Sequence, residues 1–313
     1  MDDPLSRGSY PQLKAGGVQL QTLAIFTTTG PQSVEKGRAQ VETYLHLLKH
    51  APLRFAPYTT SSSAIQLLPA FENASSFASE SEPLAEALKR LETYRAALRK
   101  IAYIGLTWNS ENRFGGGNDT LVGLKEDGKH LLVALSGKQI AIDFSHTSDP
   151  LAYDILEWID KEQLDLRVLA SHSNFRALSD YKRNLPEEIA KELIRRKGVI
   201  GLNFFAPFVH DTDPTVLARH VEYALHLGGE DALCFGADFF CDTDSYSALI
   251  KKKYGREEFF YKEYSNASMY PAVLKLLADK LQLKEPFLQK LAHENALAFL
   301  KRGLSEAKTS HAL

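Results

Sequence analysis

Cysteine is scarce: Cys234 and Cys241 are the two in 313 residues, too few for a disulfide framework. Neither sign of charge dominates, with 37 Lys+Arg against 39 Asp+Glu and a formal net charge of -2. That balance argues against a basic nucleic-acid binder. A composition of 24% charged and 44% apolar residues argues against a disordered tail. No window reaches the ~18 uninterrupted apolar residues of a membrane span. No internal repeat and no linker rich in Pro, Gly or Ser divides the chain. The start, Met1-Asp2-Asp3-Pro4, is acidic and polar, unlike a signal peptide, and the polar C-terminus carries no anchoring tail. The expectation is a cytoplasmic protein without nucleic-acid or membrane partners. It is read as one domain over 1–313, with C-terminal helices over 270–302 packing on it.

What the sequence does contain is alternation. Apolar runs of strand length occur at Val18–Phe26, Ala64–Glu72, Lys100–Trp108, Gln139–His146, Arg167–Ser173, Gly198–Phe205 and Ala232–Phe240. Most are nearly continuous in Ile, Val, Leu, Ala and Phe, as strands covered on both faces tend to be. Helical patterns fill the gaps at Ser33–His50, Pro83–Lys100, Thr120–Ser136, Asp149–Lys161, Pro186–Lys197 and Pro214–Leu227, with two more near Tyr270–Leu281 and Glu285–Arg302. Asp149-Pro150 and Pro186-Glu187-Glu188 are fitting helix starts. The pattern is that of an α/β protein with a parallel sheet, open to both a doubly wound sheet and a (β/α)8 barrel. Asn73–Glu82 and Arg113–Asn118 read as the softest segments.

Four polar groups terminate apolar runs: Glu72, His146, His172 and Asp238. Parallel strands would carry all four ends to one face. Two imidazoles with two carboxylates suit a divalent metal such as zinc, which lowers the pKa of a bound water enough for attack on a carbonyl. A carboxylate that is not a ligand can move the proton. Taken singly, Glu72 reads equally as a solvated loop carboxylate, and each histidine as a hydrogen-bonded loop residue. Asp238 is the more specific of the acids, because Ala232, Cys234 and Gly236 lie below it on its own strand face. Arg183, just before a helix, is either a surface cation or a fork for a substrate carboxylate. His130, His210, His220 and His226 read as surface residues, and Cys234 as core. Gly115-Gly116-Gly117 lacks the spacing of a phosphate loop.

These segments together resemble the membrane (renal) dipeptidase family of metallopeptidases. Ile142-Asp143-Phe144-Ser145-His146 resembles that family's Ile-Asp-Leu-Ser-His strand. Ser171-His172-Ser173, leading to Arg183-Asn184-Leu185-Pro186, resembles its Ser-His-Ser strand end and following helix start. Gly198–Phe205, Phe235–Phe239, Ile104–Asn109 and His293–Phe299 match further stretches in the same order, from Leu13 to Arg302. The resemblance implies a (β/α)8 TIM barrel of the metal-dependent hydrolase type with two zinc ions. Glu72, His146 and His172 match metal ligands, Asp238 the proton-transfer acid, and Arg183 the holder of the dipeptide carboxylate. Trp108 and Asn109 fall at substrate-contacting positions. The implied activity is hydrolysis of short dipeptides, tolerant of a D-residue at the C-terminal position, by attack of a metal-bound hydroxide. Barrel peptidases of this kind often dimerise, which makes a homodimer an expectation.

Three departures stand out. The family's first strand carries a His-x-Asp pair for the other metal, yet none of the twelve residues before Leu13 is histidine. The barrel is therefore expected to have a missing or altered first strand and impaired activity. A shortened sequence or misplaced start is expected in preference to natural loss, and an in-frame His-x-Asp upstream of Met1 would show that the strand was cut off. Trp108 stands where many members have histidine, so it would wall the pocket and not polarise a carbonyl. Glu72 sits in Phe-Glu-Asn-Ala instead of Glu-Gly-Gly. The alternatives are a non-catalytic barrel binding a small molecule or partner, and a related amidohydrolase acting on other amides or lactones.

Overall fold

The computed structural model describes residues 2–58, 62–241 and 245–305. In chain order the elements are α1 (Tyr10–Ala15), β1 (Leu20–Ile25), α2 (Ser33–His50), β2 (Phe55–Pro57), β3 (Ile65–Phe71), α3 (Leu84–Leu98), β4 (Tyr103–Gly105), α4 (Glu126–Leu135), β5 (Ala141–Asp143), α5 (Asp149–Lys161), β6 (Val168–Leu169), α6 (Glu187–Arg195), β7 (Ile200–Leu202), α7 (Ala206–Val209), α8 (Val216–His226), β8 (Leu233–Phe235), α9 (Ser245–Tyr254), α10 (Tyr270–Leu281), α11 (Glu285–Gln289) and α12 (Asn295–Ser305). The chain divides into two compact units. One is Gln19–Leu169; the other joins the N-terminal segment up to Val18 to the chain from Ala170 onward.

In the first unit every strand pairing is parallel, in the order β1-β3-β4-β5-β6, with β2 alongside β3. The helices between strands supply the crossovers that parallel pairing requires. α5 shows how the local sequence sets an element. Ser148 caps it by accepting the Leu151 N–H, Pro150 occupies the first turn, and Leu151, Ile155 and Ile159 form the buried stripe. In the second unit β7 and β8 pair in parallel, and Ala170 bridges Ile200 in the same sense. Asn295, at the start of α12, donates to the carbonyls of Glu230 and Leu233 and so ties the C-terminal helices to β8.

Each of the seven expected runs contains a strand, and β2 is an addition. The strands are shorter than the runs because their C-terminal ends leave the ladder as loops. β1 also departs from double-sided cover, since Leu20–Leu23 are half-buried and Ala24 is exposed. α4 begins at Glu126, not near Thr120. The backbone N–H groups of Leu124 and Lys125 are already committed to Asp154 Oδ2 and the Phe114 carbonyl. The run expected as one helix from Glu285 is interrupted by a wide π turn at Lys290–Glu294.

The segments read as soft are corrected by burial. Asn73–Ala78 is buried, as are Asn112 and Phe114 through Asn118. His220 is likewise no surface residue. It is fully buried on α8, with Nδ1 accepting from the Phe175 N–H and Nε2 donating to the Val209 carbonyl. No helix among the described residues is long and apolar enough to cross a membrane.

Candidate functional site

In the first unit, Glu72 follows β3 directly, and its backbone N–H donates to the Ile25 carbonyl of β1. His146 follows β5 in a left-handed conformation, φ 69°, and its carbonyl accepts the Asn118 N–H. The two side chains meet, with Glu72 Oε1 3.0 Å from His146 Nε2, and both are largely buried. On the other side of the ring, His146 Nδ1 lies 2.7 Å from Asn109 Oδ1. An amide oxygen can only accept, so Nδ1 carries the proton. In the neutral ring Nε2 then presents its lone pair towards a carboxylate oxygen. Two acceptors so close repel unless a proton or a cation stands between them. Carboxylate, imidazole and an outer hydrogen bond that fixes the tautomer together form an arrangement suited to a divalent metal.

Trp108 packs against this pair. It is half-buried, with its ring 5.7 Å from that of His146 and 5.2 Å from that of Phe26. Asn109, expected as a substrate contact, has its side chain engaged with His146.

Behind Glu72 lies a polar lattice that sequence reasoning missed. Asn112 Nδ2 donates to Asn73 Oδ1 at 3.1 Å and to the Leu106 carbonyl at 2.7 Å. Asn73 Nδ2 donates to the Thr27 carbonyl at 2.9 Å, and the hydroxyls of Thr27 and Ser76 lie 3.1 Å apart. The lattice joins the loop after Glu72 to the loop that supplies Asn109.

The second unit gathers His172, Arg183 and Asp238. His172 Nδ1 is 2.6 Å from Ser171 Oγ, and its Nε2 is 4.0 Å from Asp238 Oδ1. Asp238 is also left-handed, φ 61°. Its Oδ2 accepts from Asn203 Nδ2, which donates as well to the His172 carbonyl, both at 3.1 Å. Arg183, buried and not a surface cation, donates from Nη1 to Ser173 Oγ at 2.8 Å and from Nη2 to the His172 carbonyl at 3.0 Å. Asn203 was not singled out from sequence. It ends the apolar run Gly198–Leu202, so the strand-end criterion that found the others applies to it as well.

The tight packing expected below Asp238 is present. A Cβ added to Gly236 would overlap the Ser171 carbonyl oxygen and Gly201 Cα, and one on Gly201 would meet the same oxygen. Cys234 is buried, and desolvation pushes its thiol up to about 12.

A parallel α/β fold with carboxylates and imidazoles at its strand ends offers donors suited to a divalent cation. Residues 2–311 match the family described as membrane dipeptidase (peptidase family M19), and the chain belongs to that family. A Klebsiella pneumoniae protein, uncharacterized and encoded in the pqqA 5' region, is 31% identical over 161 residues, covering 47% of this chain and 56% of that protein. The chain spans about half the length of the curated relatives it matches. Among solved structures, the dipeptidase AC metallopeptidase superposes with a TM-score of 0.78 at 21% identity, over 94% of this chain and 88% of that one. A metallopeptidase from Rhodobacter sphaeroides, solved with a phosphinate mimic of the dipeptide L-Ala-D-Ala, gives 0.75 at 20% identity, over 94% and 89%. These likenesses establish the TIM-barrel-like α/β fold.

Proposed function

We propose that the chain hydrolyses short dipeptides with the help of a divalent cation, zinc, held by Glu72, His146 and His172. The observation that carries the reading is the Glu72–His146 pair, a largely buried carboxylate and imidazole 3.0 Å apart at the strand ends, with Asn109 on the far side of the ring. One carboxylate with two imidazoles is a donor set that zinc accepts. When bound, the cation supplies Lewis acidity, both to a water molecule and to the peptide carbonyl.

The chain's own residues do the rest. Asp238, held by Asn203 through Oδ2, takes a proton from the attacking water and returns it to the departing amine. Arg183, held by Ser173 and the His172 carbonyl, pairs with the substrate's terminal carboxylate. Trp108 walls the pocket on the side of His146 and limits what side chain the substrate carries there. Asn109 holds the His146 ring in its tautomer. Composition supports a cytoplasmic setting.

A dipeptide ending in a D-residue is the first substrate to test, given the ligand in the Rhodobacter sphaeroides relative. Hydrolysis that disappears in chelator and returns with Zn2+ is the expected result. Turnover that persists in chelator, or that survives in both His146→Ala and His172→Ala, overturns the reading.

A further inference from the structure

The first unit also carries a pair of imidazoles on α2, apart from the strand-end residues in the sequence. α2 packs inward through Ser33, Gly37, Val41 and Tyr44. With about 100° per residue, His46 stands roughly 140° round the helix from Val41 and His50 about 180°. Both are accordingly exposed. They are four residues apart, one helical turn, and their rings stack with centroids 4.1 Å apart and 30° between planes. Among the described residues neither ring has a hydrogen-bond or ion-pair partner, so neither is needed to satisfy a buried group. Each neutral imidazole has one nitrogen lone pair available to a ligand. Modest rotation of two exposed side chains turns one such nitrogen from each ring towards a common point.

We propose that His46 and His50 form a transition-metal site on the outer face of α2, independent of the dipeptidase reading. It takes Ni2+, Cu2+ or Zn2+, with water filling the remaining coordination positions. It discriminates against Mg2+ and Ca2+, which prefer oxygen donors. His50 is the last residue of α2, and the Ala51 N–H closes the final turn on the Leu47 carbonyl. A cation bridging residues one turn apart therefore staples that turn in its helical form.

The test starts from zinc-loaded protein dialysed to equilibrium against Ni2+, comparing wild type with His46→Ala, His50→Ala and the glutamine variants His46→Gln and His50→Gln. Exchange at the strand-end donors is common to all five proteins and cancels in the comparison. Wild type is expected to hold an additional Ni2+ per chain that every variant lacks, and to take up no Mg2+ in its place. Ni2+ is expected to slow amide hydrogen exchange over residues 47–51 in wild type alone, while dipeptide hydrolysis is equal throughout. Equal Ni2+ uptake by wild type and the variants, or the same slowing of exchange in the variants, overturns the proposal.

Discussion

His146 and Asp238 both sit in the left-handed region, at φ 69° and 61°, where an L-residue with a Cβ pays roughly 1–2 kcal/mol. Such strain is retained where the surrounding structure fixes a side chain for a purpose, and these two residues face Glu72 and His172 respectively. The Asn109 amide is the outer partner of His146. Asn109→Ala is expected to weaken zinc binding about 10–100-fold without unfolding the protein, as measured by competition with a chromophoric chelator. His220 has a different role. Burial lowers its imidazole from 6.5 to about 4. Between those values the unfolded chain binds the proton that the folded chain refuses, so stability rises with pH across that window. Urea unfolding followed from pH 7 to pH 4 is expected to show a loss of roughly 3 kcal/mol from this group, and His220→Gln to flatten that part of the profile. The two thiols should differ in the same physical way. Native-state alkylation is expected to mark half-exposed Cys241 and to spare buried Cys234.

Strand ends and the helices between them were legible in the sequence because both follow from hydrophobic period: continuous apolar runs for covered strands, a one-face stripe for helices such as α5. The buried loops were not. Asn73, Ser75, Ser76 and Asn112 look like solvated linker residues until their partners are known, and those partners lie dozens of residues away. His220 was recoverable, since it shares the stripe of Leu217, Val221 and Ala224 on α8, but a polar residue on an apolar stripe was read by its type and not its position. The lattice behind Glu72 makes its own prediction. Asn112→Ala strands acceptors on Asn73 and Leu106 and is expected to cost about 1–3 kcal/mol in chemical denaturation, with weaker zinc binding as Glu72's loop loosens. Gly236→Ala is expected to be worse. Its methyl group collides with the Ser171 backbone, one residue before His172, so reduced folded yield should accompany loss of the His172–Asp238 arrangement.

At the scale of the whole molecule, the account joins a parallel α/β fold, membership of the membrane dipeptidase family, and a zinc-dependent reading of the strand-end residues. A cation that binds the folded state alone stabilises it, by about 2.7 kcal/mol at a free concentration one hundred times its dissociation constant. Chelation is therefore expected to lower the midpoint of thermal unfolding, and His146→Ala to be insensitive to chelator. The most direct test of the central claim is elemental analysis of the zinc-loaded, extensively dialysed protein. The account predicts stoichiometric zinc in wild type and its loss from both His146→Ala and His172→Ala. Zinc-free wild type, or zinc content unchanged in both variants, would contradict it.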